Sequence, residues 1–186
     1  MTIEATTTID AKTRDDLLAA VPSLRAFAIS LTNHVDRADD LVQDTLMRAL
    51  TNIHRFQPGT NLHAWLFTIL RNLFHSEYRK RRREVEDADE SYSSRLVSMP
   101  EQNGRLDMED FRLALAKLPA DQREALLLVG AQGFSYEEAA NICECAVGTI
   151  KSRVNRARNR LSAMLSLDNV EDLGPDRMTR AVLVAA

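Results

Sequence analysis

The ten residues from Lys151 to Arg160, KSRVNRARNR, concentrate positive charge on side chains that could bind nucleic acid. Five of the ten are basic and none is acidic, although the whole chain carries a formal net charge of −3. Arginine and lysine pair with phosphates, and arginine and asparagine also read base edges in the major groove. A merely solvated helix face usually mixes charges of both signs, because like charges repel. The segment therefore favours DNA contact.

On a helix, this segment separates into an apolar stripe and a polar face. The stripe, which must face a core, consists of Ile150, Val154, Ala157 and Leu161. The residues that we predict to contact DNA are Lys151, Ser152, Arg153, Asn155, Arg156 and Arg158. A short helix from Tyr136 to Cys143, a tight turn and this helix from about Val147 are typical of a helix-turn-helix.

Local signals place the helices before this motif. DQRE (Asp121, Glu124) and SYEE (Ser135, Glu138) each fit a capping box, in which two side chains satisfy the free N–H groups of a helix start. The pair Gln132-Gly133 is expected to end the helix between them.

A second cationic helix is predicted after the turn QPGTN at 57–61. Its buried residues are expected to be Leu62, Leu66, Ile69, Leu70 and Leu73. The opposite face mixes cations with a tyrosine, a composition suited to unpaired nucleic acid whose bases can stack. Its predicted contact residues are Thr68, Arg71, Asn72, His75, Tyr78, Arg79 and Arg82. Trp65 borders this face, either as a core-edge residue or as a stacking platform.

The helix after Asp36 has an anionic outer face. Its inward residues are predicted to be Ala38, Leu41, Val42, Leu46 and Ala49, and its outward residues Asp39, Asp40, Gln43, Asp44, Met47 and Arg48. Asp40 and Asp44 lie one turn apart and could hold a divalent metal in a nuclease. No third ligand lies at helical spacing on that face, and an exposed methionine suits a protein interface better.

Composition limits the remaining choices. The chain has 186 residues, 45% of them hydrophobic, which is typical of a globular protein. No apolar run is long enough to span a bilayer and no signal peptide is evident, so we expect a cytoplasmic protein without membrane contact. Cys143 and Cys145 are too close for a disulfide framework, and the four histidines are scattered. We expect no metal and no cofactor.

Apolar periodicity predicts helices nearly everywhere, and the fold class is all-α. Pro22 is expected to open a new helix as its first residue. We divide the chain into an N-terminal helical bundle over 12–83, an acidic linker over 84–106, a helix-turn-helix four-helix module over 107–167 and a tail over 168–186.

These motifs together resemble those of bacterial sigma factors of the extracytoplasmic-function (ECF) type. The resemblance rests on DRADDLVQDTLMRAL, AWLFTILRNLFHSEYRKRRR, LPADQREALLLVGAQGFSYEEAA and VGTIKSRVNRAR, in the order of the family. The last two are most similar to the EcfG general-stress branch of alphaproteobacteria. One departure is Glu144, where the turn usually has glycine; a left-handed backbone there would cost about 1 kcal/mol.

The resemblance implies a promoter-specificity subunit of RNA polymerase, not an enzyme. Region two would dock on the β′ clamp helices through the anionic helix, and would engage the minus-ten element through the cationic helix and loop 57–61. Region four would place the recognition helix on the minus-thirty-five element, of GGAAC type in this branch, and its apolar face on the β flap. The expected regulator is a NepR-type anti-sigma factor.

The residues alone are also compatible with two other classes of protein. A nuclease would use Asp40 and Asp44, and a repressor would use the helix-turn-helix by itself. The linker has two readings as well: its five carboxylates over 84–90 either suppress DNA binding by the free protein or only keep the tether soluble.

Overall fold

The computed structural model describes the backbone of residues 10–86 and 103–165, and the side chains of 10–81 and 110–165. Seven α-helices dominate this described part, which contains no strand, and the predicted all-α class is confirmed. Residues 87–102, most of the predicted linker, and the predicted tail at 168–186 lie outside the described residues.

The N-terminal module consists of α1 (Ala11–Thr32), α2 (Val35–Thr51), a single 3-10 turn (Ile53–Arg55) and α3 (Leu62–Glu86). Asp10 caps α1 by accepting a hydrogen bond from the Thr13 N–H, and Asn33 ends it in a left-handed conformation with φ 55°. The helix α3 begins directly after the turn at 57–61, as predicted. It continues to Glu86, three residues into the segment that we assigned to the linker.

Pro22 lies inside α1, so the prediction that it opens a new helix is wrong. A proline in a helix interior removes one backbone hydrogen bond and costs about 3 kcal/mol. The apolar residues before and after it, such as Leu17, Leu24 and Leu31, are buried in the same core. Burial of this shared stripe offsets the cost and keeps α1 continuous.

The C-terminal module consists of α4 (Asn103–Lys117), α5 (Ala120–Leu126), α6 (Tyr136–Ile142) and α7 (Val147–Leu165). A π-helical segment, Leu127–Ala131, prolongs α5. Gln132 and Gly133 then end this helix as predicted, with Gly133 at φ 74°. The other three helices of the module pack against α7.

One of the two predicted capping boxes is present. Ser135 accepts a hydrogen bond from the Glu138 N–H, and the Glu138 carboxylate accepts one from the Ser135 N–H. The capping box predicted at Asp121 is wrong, because Pro119 takes the N-cap position and α5 begins at Ala120. Asp121 thus lies within the first turn, and Glu124 is free to face the other module.

The two modules share one apolar core. The ring centroid of Phe134, in the loop before α6, lies 5.2 Å from that of Phe67 on α3, and Phe67 in turn lies 5.0 Å from Phe27 on α1. All three side chains are buried. Helix α3 therefore packs against its own bundle on one side and against α6 on another.

Candidate nucleic-acid interfaces and protein-docking face

Helix α7 has the two faces that the sequence predicts. Ile150, Val154, Ala157 and Leu161 are each at most 1% exposed and anchor the helix in the C-terminal core. Of the six predicted contact residues, Lys151, Asn155 and Arg156 are exposed, whereas Ser152, Arg153 and Arg158 are half-buried. The helix is thus held by one side and presents the other to solvent, as major-groove binding requires.

Two cations of α7 are oriented by neighbours within the module. The Nε atom of Arg153 lies 3.1 Å from Oδ2 of Asp121, and one of its terminal nitrogens donates a weak 3.8 Å hydrogen bond to Sγ of Cys145. The ammonium group of Lys151 lies 5.7 Å from the ring centroid of Tyr136. These contacts orient two cations of the helix, while Arg156 is exposed on it.

Helix α3 differs from its prediction on the side that faces the C-terminal module. Leu66 and Leu70 are buried as expected, while Leu62, Ile69 and Leu73 are only partly buried. Phe67 and Phe74, which the projection did not assign to the core, are buried as well. Phe67 packs between Phe27 of α1 and Phe134 of the C-terminal module, and the ring of Phe74 contacts those of His75 and Tyr78 on its own helix.

The seven predicted contact residues of α3 fall into two groups. Tyr78 and Arg79, near its end, are exposed; the structure does not describe the side chain of Arg82. Of the other four, Arg71, Asn72 and His75 contact the C-terminal module, whereas Thr68 donates a hydrogen bond to the Ala64 carbonyl of its own helix.

Arg71 and His75 contact an acid of the C-terminal module. The Nε atom of Arg71 lies 2.8 Å from Oε1 of Glu124, and Nε2 of His75 lies 3.5 Å from the same oxygen. The side chain of Glu124 is only 2% exposed and that of Arg71 only 15%. The expectation that α3 presents Arg71 freely to nucleic acid is therefore incorrect for this arrangement of the chain.

Two amide side chains make further contacts across the modules. Asn61, at the start of α3, donates a 2.8 Å hydrogen bond to Glu138, and Asn72 donates a 3.4 Å hydrogen bond to Glu144. Sequence reasoning assigned neither Glu124 nor Glu144 to this contact. The one available signal was Glu144 itself, an unusual residue for the turn of this motif.

The turn of the helix-turn-helix has the left-handed conformation for which glycine is the usual residue. Glu144 has φ 51°, one of two positive values among the described non-glycine residues. The preceding Cys143 is buried; desolvation, with a smaller effect from the nearby Glu124 charge, raises the pKa of its thiol to about 12. Cys143 thus packs the end of α6 as an apolar side chain.

The outer face of α2 is exposed as predicted, and all of its members are accessible: Asp39, Asp40, Gln43, Asp44, Met47 and Arg48. Met47 is 60% exposed. Asp39 pairs with Arg25 at 2.6 Å, and Asp40 and Asp44 line a groove together with Lys80 and Arg81 of α3. We call this set the α2 face. Within the described residues, no group of three acidic, histidine or cysteine side chains is placed to hold a metal.

Among the described residues, no helix is both long enough and apolar enough to cross a bilayer.

Both modules match known families. Residues 18–84 match Sigma-70 region 2, and residues 108–161 match Sigma-70, region 4. The chain is similar to the ECF RNA polymerase sigma factor EcfG of Rhodopseudomonas palustris, with 72% identity over 91% of this chain and 94% of the relative.

Solved structures show the same architecture. The sigma factor RpoE of Bartonella quintana, solved in complex with the anti-sigma factor NepR, is 56% identical with a TM-score of 0.79, covering 86% of this chain and 100% of that one. CnrH, solved with the cytosolic domain of CnrY, is 26% identical with a TM-score of 0.65, covering 88% of this chain and 94% of that one.

Proposed function

This chain belongs to the ECF sigma factors of bacterial RNA polymerase, and from that membership we propose how its residues divide the work of promoter recognition. Sigma factors select promoters for RNA polymerase. The partners of this chain are the polymerase, promoter DNA and an anti-sigma factor. The observation that carries the proposal is that the anionic α2 face and the cationic face of α7 are both exposed on separate modules. One molecule can therefore bind an enzyme and a promoter together.

Helix α7 reads the upstream, minus-thirty-five element. Its buried stripe fixes the helix, so that Arg156 and Asn155 point to base edges in the major groove. Lys151, Arg153 and Arg158 lie beside them and would pair with phosphates, which fixes the position of the helix on the duplex.

Helix α3 and loop 57–61 engage the minus-ten element. Tyr78 and Arg79 are exposed near the end of the helix and can stack on, or pair with, an unpaired strand. Arg71, Asn72 and His75 join them only when the C-terminal module moves away, because all three contact it here.

The α2 face docks on the β′ clamp helices, and the apolar side of the C-terminal module meets the β flap. The anti-sigma factor would be of the NepR type, as in the complex of the Bartonella relative. The chain works in the cytoplasm with the polymerase, and the polymerase performs all the chemistry.

Run-off transcription with core polymerase tests this function on a template with a GGAAC-type promoter. The wild-type chain is expected to yield a promoter-dependent transcript. Arg156→Ala should lower the yield about tenfold, the effect of one good base contact. Arg160→Ala, which removes an exposed cation outside the predicted contact set, is the matched control and should lower it less. A transcript that does not depend on the promoter, or no transcript, would refute the function.

A further inference from the structure

A hydrogen bond on the exposed face of α7 fixes the amide of one predicted contact residue. The Nδ2 atom of Asn159 donates to Oδ1 of Asn155 at 3.1 Å, across one turn of the helix. Both side chains are exposed on the polar face. Asn159 is not among the residues that we predict to contact DNA, and the proposed function gives it no role.

The backbone beneath this amide pair is anchored in the C-terminal core. Val154 and Ala157, which flank Asn155 and Arg156 in the sequence, are 1% and 0% exposed. The position of Asn155 is therefore set by the core, and only its side-chain torsions decide which end of its amide faces outward. An amide pair at this spacing adds little to the stability of a helix. Its main effect is to set that orientation.

The two ends of an asparagine amide have opposite roles in hydrogen bonding. The carbonyl oxygen accepts, and the amino group has two N–H donors. Because Asn159 occupies the carbonyl oxygen of Asn155, the group that Asn155 presents to a ligand is its amino group. The described residues provide no other hydrogen bond to the Asn155 side chain. Both of its N–H donors are thus available.

A side chain that only donates can distinguish the bases in the major groove. Guanine presents two acceptors there, N7 and O6, and no donor. Adenine and cytosine present an amino group, which would face the amino group of Asn155, and thymine presents a methyl group beside its single acceptor. An asparagine that uses both ends of its amide binds adenine instead. The hydrogen bond from Asn159 therefore favours guanine.

We propose that Asn159 is a positioning residue that determines base specificity in the upstream element: it holds the carbonyl oxygen of Asn155, so that Asn155 reads guanine and rejects adenine. This inference rests on the proposed function, since it takes α7 as the helix that lies in the major groove. Asn159 acts through Asn155 and does not itself contact a base. Because it carries no charge, it affects base preference and not the salt-dependent attraction to phosphates.

The test measures how the holoenzyme ranks the bases of the upstream element. Run-off transcription is compared between a promoter that the wild-type holoenzyme transcribes and templates in which each upstream base pair is replaced in turn by the other three. The pair that Asn155 reads is the one at which Asn155→Ala loses discrimination. At this pair the wild type should prefer guanine to adenine by about tenfold, the effect of one good base contact.

Two substitutions of Asn159 change the orientation of the Asn155 amide in different ways. Asn159→Ala leaves this amide free to turn, and the preference for guanine should largely disappear. Asn159→Asp offers only acceptors, so Asn155 must donate to it and turn its carbonyl oxygen outward. Adenine should then support transcription at least as well as guanine. A residue with a merely structural role would change the yield but not this ratio.

Arg160→Gln is the matched control for charge. It makes the net charge more negative by the same amount as Asn159→Asp, at an exposed position outside the amide pair. It should lower transcription from all templates by a similar factor and leave the ratio of guanine to adenine unchanged. All of these substitutions are at exposed positions, and thermal melting should show that the variants fold like the wild type.

Several outcomes would overturn the inference while the proposed function stands. Wild-type holoenzyme transcribes the promoter, but Asn155→Ala loses discrimination at no base pair; the pair that it reads does not favour guanine; or either Asn159 variant keeps the wild-type preference. Loss of the preference in Arg160→Gln would overturn it as well, because charge alone would then explain the effect of Asn159→Asp. If the holoenzyme does not recognise the promoter at all, the proposed function fails, and this inference with it.

Discussion

At the scale of single residues, two acids of α5 show how burial decides the role of a charge. Asp121 is half-exposed and pairs with Arg153 of its own module, whereas Glu124 is almost fully buried against Arg71 of the other. An exposed pair contributes little to stability, because water solvates both partners. A buried carboxylate needs its partner, since leaving it alone would cost far more. Glu124 is therefore the acid that depends on contact between the modules.

The two cysteines should differ sharply in reactivity. Alkylating reagents attack the thiolate, and burial raises the pKa of the Cys143 thiol to about 12. At about pH 8, iodoacetamide should modify the half-buried Cys145 and leave Cys143 intact, as read by mass spectrometry. A Cys145→Ser variant should be modified only after denaturation. Faster labelling of Cys143 in the folded chain would contradict its burial.

His63 should make stability depend on pH. Burial lowers the pKa of its imidazole below the ordinary value of 6.5, so the folded state favours the neutral ring. The unfolded chain takes up the proton near pH 6.5, and stability therefore falls as the pH is lowered through that value towards the folded-state pKa. The ring is hydrogen-bonded to Ser23 at 2.8 Å and contacts Phe67 and Phe134.

Urea unfolding at about pH 7.5 and about pH 5.5 measures this effect. His63→Gln should lose part of the pH dependence, while His54→Gln, at an exposed position, should keep it. Equal pH dependence in the two variants would mean that His63 is not the responsible group.

At the scale of elements, the sequence predicts the buried face of a helix well only where the residues that cover that face lie in the same module. The faces of α7 could be predicted because its apolar stripe packs on its own module, which the sequence marks by regular spacing. The face of α3 could not, because Phe134 covers part of Phe67 and Glu124 pairs with Arg71, and both of these partners lie in the other module. The spacing of apolar residues shows which side of a helix is apolar, but it does not show which residues will cover that side.

The two capping-box sequences also differ in outcome because of a residue outside the motif. The motif at Ser135 forms the box, and the motif at Asp121 does not, since Pro119 shifts the start of α5 by two residues. Proline has a fixed φ and lacks an N–H, so its position governs where the helix can begin. A capping motif is thus decisive only where no stronger signal precedes it.

Ser135→Ala should destabilise the C-terminal module by about 1 kcal/mol, because the Glu138 N–H loses its acceptor. Asp121→Ala serves as the comparison and should cost about 0.5 kcal/mol or less, the contribution of an exposed ion pair. Chemical denaturation of both variants measures the difference. A larger loss for Asp121→Ala would indicate that its carboxylate does cap α5.

At the scale of the whole molecule, the two modules are joined by a core that neither completes alone. Phe134 leaves the C-terminal module to pack on Phe67 and His63, so part of its burial comes from the other module. The predicted boundaries at 83 and 107 mark sequence regions, but the packing crosses them. We therefore expect the chain to unfold as one unit as long as this contact holds.

Phe134→Ala should loosen the two modules from each other. Removal of a buried phenylalanine costs about 3–5 kcal/mol, and here part of that loss falls on the contact between modules. We expect a larger radius of gyration and a broader or split thermal transition. Phe111→Ala, a similar truncation at a buried position of α4, should lower stability without the same expansion. Equal expansion of both variants would contradict the special role of Phe134.

The α2 face is accessible in the same closed chain that covers Arg71. Under the proposed function, the polymerase can therefore bind the closed chain without first separating the two modules, and the order of assembly follows from the geometry of a single polypeptide.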